Sequence, residues 1–223
     1  MHPKLTGKAY DDITDLWSED KFNNKNAIAQ HKRSLKFVVA RGTALDIGCG
    51  CNSRLFKLLS EEGFVYEGLD ISEKMIALAR LQHPDVTFYH EDLCAWENPK
   101  LYDYITAWDS IWHIPLDQQE AVIRKLVSAL NPGGILIFSF GGTEEADEHS
   151  NELMGPMVYY STLGTTAYLQ LIASAGCICR HLEYDQHPEP HAYIIAQKTL
   201  KKKRVLLNGN PVVCCLCYLV ISR

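Results

Sequence analysis

Two closely spaced glycines, Gly48 and Gly50, stand in the stretch Ala44-Leu45-Asp46-Ile47-Gly48-Cys49-Gly50-Cys51-Asn52. Glycine has no Cβ, so such a turn lets a ligand lie against bare main chain, and a helix opening after it offers unpaired N–H groups. Further along, Asp70 closes a second apolar stretch, where a carboxylate can accept both ribose hydroxyls of a nucleoside. A third group of reactive side chains sits in Thr106-Ala107-Trp108-Asp109-Ser110-Ile111-Trp112-His113, which combines two indoles, a carboxylate and an imidazole. His113 is the first candidate for a general base, because an unperturbed imidazole titrates near pH 6.5, and Asp109 is the second. Tyr10 and Trp17 near the N-terminus, Trp112, and the pair Tyr159 and Tyr160 supply aromatic surface for an acceptor molecule.

These groups need elements that hold them. Apolar residues at helical spacing predict two N-terminal helical pieces, the first carrying Tyr10 and Trp17 and the second running from Ala27 to Val39. Thr43 to Ile47 reads as a buried strand ending at the glycine turn, and Ser53 to Glu62 as the helix after it. Val65 to Asp70 is a second strand, and Ser72 caps a helix bearing Met75, Ile76 and Ala79. Strands follow at 86–89, 102–108 and 135–140. Asp117 with Glu120 predicts a capping box on the helix before the last of these. Residues 141–157 read as a long polar loop, 163–175 as a helix, and 177–183 with 191–197 as an antiparallel edge hairpin. Strands alternating with helices in this way imply a parallel sheet covered on both faces, and the ligands of such sheets lie beyond the carboxyl ends of the strands.

The chain has 223 residues, a formal charge of −5 and 47% hydrophobic residues, which fits one α/β domain and offers no basic field for nucleic acid. The sequence divides into a helical cap over the active site (1–39), the main domain (40–198) and a weakly anchored tail (199–223). The tail holds the charge run Lys201-Lys202-Lys203-Arg204 and an apolar stretch too short to span a bilayer. The N-terminal residues carry no apolar signal region, which points to a reducing, cytoplasmic setting with free thiols. The Cys-x-Cys pairs are spaced too tightly for a usual zinc site, so no metal is expected.

Taken in order, several segments resemble the class I S-adenosylmethionine-dependent methyltransferases. Ala44 to Gly50 is similar to the first motif of that family, and Tyr66 to Ser72 with Met75 and Ala79 to the second. Glu91-Asp92-Leu93 is similar to its adenine-holding segment, and Leu130 to Leu136 to the run before strand five. The resemblance covers roughly residues 40–140. It implies an α/β Rossmann-like fold with a seven-stranded, mostly parallel sheet, a C-terminal antiparallel hairpin and helices on both faces.

It further implies that Asp46, Gly48, Cys49 and Gly50 shape the methionine side of the cofactor pocket. Asp70 with Ile71 and Met75 would hold the ribose, Asp92 and Leu93 the adenine, and Trp108 would close the methyl end. The family often has a third glycine where Asn52 stands, and asparagine tolerates left-handed backbone angles. A nicotinamide cofactor is disfavoured by Ser53, which replaces the small residue of that fingerprint. The Pro-containing motifs of DNA methyltransferases are absent after residue 108. The expected acceptor is therefore a small molecule, methylated at O, N or S by a monomer or homodimer with no membrane partner. A protein or nucleic-acid acceptor, or a non-catalytic cofactor-binding module, is the alternative reading.

Overall fold

Strand and helix alternate in the computed structural model of the chain, which describes residues 3–17, 21–52, 54–200, 204–207 and 210–213. The helices are α1 (Pro3–Asp12), α2 (Ile28–Ser34), α3 (Arg54–Glu61), α4 (Glu73–Gln82), α5 (Gln119–Ser128) and α6 (Thr165–Ser174). The main-sheet strands are β1 (Thr43–Ile47), β2 (Val65–Asp70), β3 (Thr87–His90), β4 (Tyr102–Ala107), β5 (Leu130–Gly141), β8 (Cys177–Tyr184) and β9 (His191–Lys198). They lie in the order β3-β2-β1-β4-β5-β9-β8. The first five are parallel, and β9 runs antiparallel to both β5 and β8. The order reverses between β1 and β4, so both strand ends that carry the sequence's reactive groups open into one crevice.

Side chains alternate across the sheet, as a two-residue period requires. Leu136, Phe138 and Phe140 of β5 join Ala192, Ile194 and Ala196 of β9 on the face covered by α5 and α6. Ile135 and Ile137 join Tyr193 and Ile195 on the other face, under α3 and α4. Helix α2 is fixed to that face by polar anchors. Buried His31 bonds the Ala27 carbonyl through Nδ1 and the Thr106 hydroxyl through Nε2, both at 2.8 Å.

Three expectations change. The Asp117–Glu120 capping box does not form, because a 3-10 turn over Leu116–Gln118 precedes α5 and Gln118 takes the N-cap position. Glu120 instead bonds Arg124 one turn on, at 2.8 Å. The polar stretch 141–157 is not all loop. Strand β6 (Asp147–Asn151) pairs antiparallel with β7 (Val158–Thr162), and this pairing rests on main-chain bonds that a polar sequence does not advertise. The second N-terminal piece is shorter than expected, ending in a 3-10 turn over Leu35–Phe37.

In the tail, β10 (Arg204–Leu207) pairs with β11 (Asn210–Val213). The basic run at 201–203, the cysteines at 214–217 and Ser53 lie outside the described residues. No helix of the described residues is long and apolar enough to cross a membrane.

Candidate active site

The glycine turn is built by its neighbours. Gly48 and Gly50 take φ of 68° and 58°, left-handed values that cost most residues with a Cβ. The Gly48 and Cys49 N–H groups both donate to the Leu69 carbonyl, at 2.7 and 3.1 Å, which ties the turn to the end of β2. A Cβ on Gly48 would lie 2.4 Å from Ser110 Cβ, so the turn and the end of β4 touch only because this residue is glycine. Asp70 completes the link: one carboxylate oxygen accepts the Gly50 N–H at 2.8 Å and the other the Ser72 N–H at 2.9 Å. Burial raises its pKa above the usual carboxylate value, against the pull of those N–H groups.

A cavity of about 280 Å³ opens from this turn. Gly48, Cys49, Gly50, Asp70, Ile71 and Met75 line it, as do Asp92 and Leu93 beyond β3 and Trp108 at the end of β4. Ser72 caps α4 by accepting the Met75 N–H at 3.1 Å, which seats Met75 in the wall.

Asp46 is placed differently from the other sequence candidates: it is buried behind the turn and does not line the cavity. Its carboxylate accepts the Tyr66 hydroxyl at 2.8 Å, and burial lifts its pKa to about 7.

The N-terminal segment closes one side. Helix α1 packs so tightly that a Cβ on Gly7 would meet the Ile71 carbonyl oxygen at 2.8 Å. Asp11 latches it by accepting the Ser72 hydroxyl at 2.6 Å and the Lys74 N–H at 3.0 Å. This brings Tyr10 and Trp17 into the wall, ring to ring at 5.2 Å.

His113 lies opposite. Its Nδ1 donates to the Tyr159 carbonyl at 2.8 Å, which fixes the tautomer and leaves Nε2 as an acceptor. Nε2 takes the Trp112 indole N–H at 3.0 Å and meets the Tyr10 hydroxyl at 2.7 Å. Burial lowers the His113 pKa to about 4, so the ring is neutral at pH 7. Tyr160 packs on it, with ring centres 4.9 Å apart. Tyr159 is held outside the cavity, its hydroxyl donating to Glu148 and accepting from the Leu116 N–H.

Asp109 lines the cavity but is fully engaged. Its Oδ1 accepts from His191 at 3.0 Å and from the Ser139 hydroxyl at 3.1 Å, and its Oδ2 from Asn26 at 3.0 Å. Burial alone would raise its pKa, but these donors bring it below the usual value. His191 lies between two carboxylates, with Asp185 at its other nitrogen. Burial lowers its pKa and these partners raise it further, for a net rise.

The sequence pattern did not single out Thr6, Phe22, Arg54, Met154 and several other lining residues. Arg54 stands two residues past Asn52 and was the one with a legible signal, a cation beside a glycine turn. The others arrive from segments whose meeting only the fold decides.

The residues present fit S-adenosylmethionine. Among the described residues, buried Trp108 Nε1, Ser110 Oγ and Thr6 Oγ1 have no hydrogen-bond partner, and all three residues line the cavity. The acids Asp70, Glu91, Asp92 and Asp109, set among aromatic walls, suit a cationic sulfonium.

The sheet order, the glycine turn and the acid ending β2 define the class: Rossmann-like, class I S-adenosylmethionine-dependent methyltransferases. The chain belongs to the methyltransferase-domain family, whose model matches residues 20–168. It is 32% identical over 162 residues to a trans-aconitate 2-methyltransferase of Escherichia coli O157:H7 (strain EC4115 / EHEC), covering 67% of this chain and 63% of that one. It is 28% identical over 145 residues to a ubiquinone biosynthesis O-methyltransferase of Vibrio vulnificus (strain YJ016), covering 59% of this chain and 60% of that one. The chain thus spans under two thirds of the length of these relatives. Its fold matches that of a magnesium protoporphyrin IX methyltransferase from Synechocystis PCC 6803, solved with bound SAM. The TM-score is 0.67 at 18% identity, over 89% of this chain and 98% of that one.

Proposed function

We propose that this chain transfers a methyl group from S-adenosylmethionine to an O, N or S atom of a small molecule. The observation that carries this reading is the single cavity that joins the Gly48–Asp70 turn to the Trp108, Trp112, His113 and Tyr10 cluster. When bound, the cofactor supplies an activated methyl on a sulfonium leaving group. The chain's own residues then have to orient and shield. Asp70 accepts the ribose hydroxyls, Asp92 and Leu93 border the adenine, and the turn lets the methionine side lie against main chain. Trp108, Trp112, Tyr10 and Tyr160 exclude water and hold the acceptor in line. Alignment of this kind is worth on the order of 7–11 kcal/mol for well-oriented pairs.

His113 is the acceptor-side base. An acceptor O–H or N–H displaces both the Tyr10 hydroxyl and the Trp112 N–H from Nε2, and the proton lost on methylation passes to that nitrogen. Asp109, saturated by three donors, serves as a fixed negative charge at the wall. Residues 1–39 act as the cap, through α1 and its Asp11 latch. The related trans-aconitate and ubiquinone-biosynthesis enzymes, by their names, act on small molecules, which supports a small acceptor here.

Two measurements test the reading: calorimetric titration with S-adenosylmethionine, and S-adenosylhomocysteine release when a metabolite pool is added. Binding with acceptor-dependent product is expected. Failure to bind overturns the reading, and binding without turnover on any pool makes the chain a cofactor-binding module.

A further inference from the structure

A second cavity, of about 320 Å³, opens beyond the cluster around His113. Trp112 and Tyr160 line both cavities, with ring centres 6.4 Å apart, so the two spaces share an aromatic partition. The β6–β7 hairpin adds Asp147 and His149 to the second cavity, and the turn into β9 adds Glu189 and His191. The first cavity, at about 280 Å³, is at the small end for a ligand pocket. The cofactor occupies it in the reading above, so an acceptor that reaches His113 has to extend its remaining bulk into the second.

Charge decides what that second space can hold. Residues 141–162 carry five acidic side chains and residues 184–191 carry two, with no lysine or arginine in either segment. Among the described residues no lysine or arginine lines this cavity, and Arg54 lines only the first. His149 is set against Asp147 at 3.5 Å, and His191 is held between Asp109 and Asp185. Even a protonated histidine at either place is matched by a carboxylate. A carboxylate or phosphate on the acceptor would therefore meet repulsion and find no cation to pair with. Asp147 and Glu189 are exposed, where a single charge pair in water is worth little. The rings add the drier contact: Tyr160 stacks on His149, centres 5.3 Å apart, with Trp112 beside it. Indole and phenol faces attract a cation that has shed part of its water.

We propose that the second cavity is the distal subsite of the methyl acceptor and that it takes a protonated amine. The acceptor is then a cationic small molecule whose ammonium sits among Trp112, Tyr160, Asp147 and Glu189 while its methylated atom reaches His113. The inference rests on the first cavity being the cofactor pocket, with the acceptor entering at the His113 cluster.

The test is equilibrium binding to the full chain saturated with S-adenosylhomocysteine. Three phenols of similar size are titrated by calorimetry: tyramine carries an ammonium, 4-ethylphenol no charge, and 3-(4-hydroxyphenyl)propionate a carboxylate. The wild type is expected to bind tyramine about twofold to thirtyfold more tightly than 4-ethylphenol, the range for a cation on aromatic faces, and the propionate most weakly. In the double variant Asp147→Lys/Glu189→Lys the order of the two charged probes should reverse. S-adenosylhomocysteine and 4-ethylphenol should bind that variant as they bind the wild type, which also reports an intact fold.

Tyramine binding no tighter than 4-ethylphenol in the wild type, including no binding of any of the three, would overturn the proposal. So would a tyramine advantage that survives in D147K/E189K, which would put the ammonium in the first cavity beside Asp109. If the wild type does not take up S-adenosylhomocysteine, the cofactor reading itself falls, a result read before any phenol is added.

Discussion

Replacing Gly48 by alanine imposes two separable penalties on the cofactor turn. The first is conformational. At a φ of 68° a residue with a Cβ pays about 1–2 kcal/mol. The second is steric. The new Cβ would lie 2.4 Å from Ser110 Cβ, where carbon atoms prefer about 3.5–4.0 Å, so the turn after β4 must retreat by roughly 1 Å. Overpacking of this kind costs about 1–3 kcal/mol. The sum, about 2–5 kcal/mol, should lower the melting temperature by roughly 4–20 °C in a domain of this size. S-adenosylmethionine should bind at least about tenfold more weakly, because the displaced turn no longer offers the bare main chain that the cofactor would lie against.

The double variant Gly48→Ala/Ser110→Gly removes the colliding atom but leaves the backbone strain. It should recover the steric share of the stability and part of the affinity. Thermal melts and calorimetry on wild type, single and double variants measure both quantities. An unperturbed G48A, or a double variant no better than the single, would refute the close approach of turn and strand end that the pocket depends on.

Three further outcomes follow from the same geometry. Asp70→Ala removes the acceptor for the Gly50 and Ser72 N–H groups along with the proposed ribose contact, and should weaken S-adenosylmethionine at least tenfold in calorimetry; unchanged affinity removes Asp70 from the site. His113→Ala should lower kcat by about a hundredfold or more while cofactor affinity is retained, as expected for a lost general base, and a full-rate variant makes His113 purely structural. Burial lowers the His31 pKa to about 4, below its unfolded value, so the stability it confers is full above about pH 6.5 and is lost as pH falls towards 4. The stability gap between wild type and His31→Gln in urea should therefore narrow by about 2 kcal/mol from pH 7 to pH 5, and a constant gap contradicts a neutral buried ring.

The sheet was legible in the sequence because its signals are local. A continuous apolar run from Ile135 to Phe138 marks β5, a Ser cap opens α4, and the glycines mark the turn that follows β1. Asp70 could be placed because the end of a strand is a position along the chain, and the crevice beyond the strand ends follows from the alternation alone. The β6–β7 hairpin was not legible, because its pairing is main-chain to main-chain between polar residues.

What only the tertiary structure decided is which side chains share the cavity. Asp46 and Tyr159 carry suitable chemistry at suitable positions, yet Tyr66 holds the first behind the turn and Glu148 holds the second outside. Tyr10 meets His113, 103 residues further along the chain, only because Asp11 and Gly7 seat α1 against α4. Asp109 looks free in the sequence and is saturated in the fold by His191, Ser139 and Asn26, which arrive from three separate segments. The sequence by itself determined the pocket's main chain and its ribose acid, since local backbone preference and period set both. Burial and long-range hydrogen bonding, which no spacing rule encodes, decided which candidates face the ligand and in what protonation state.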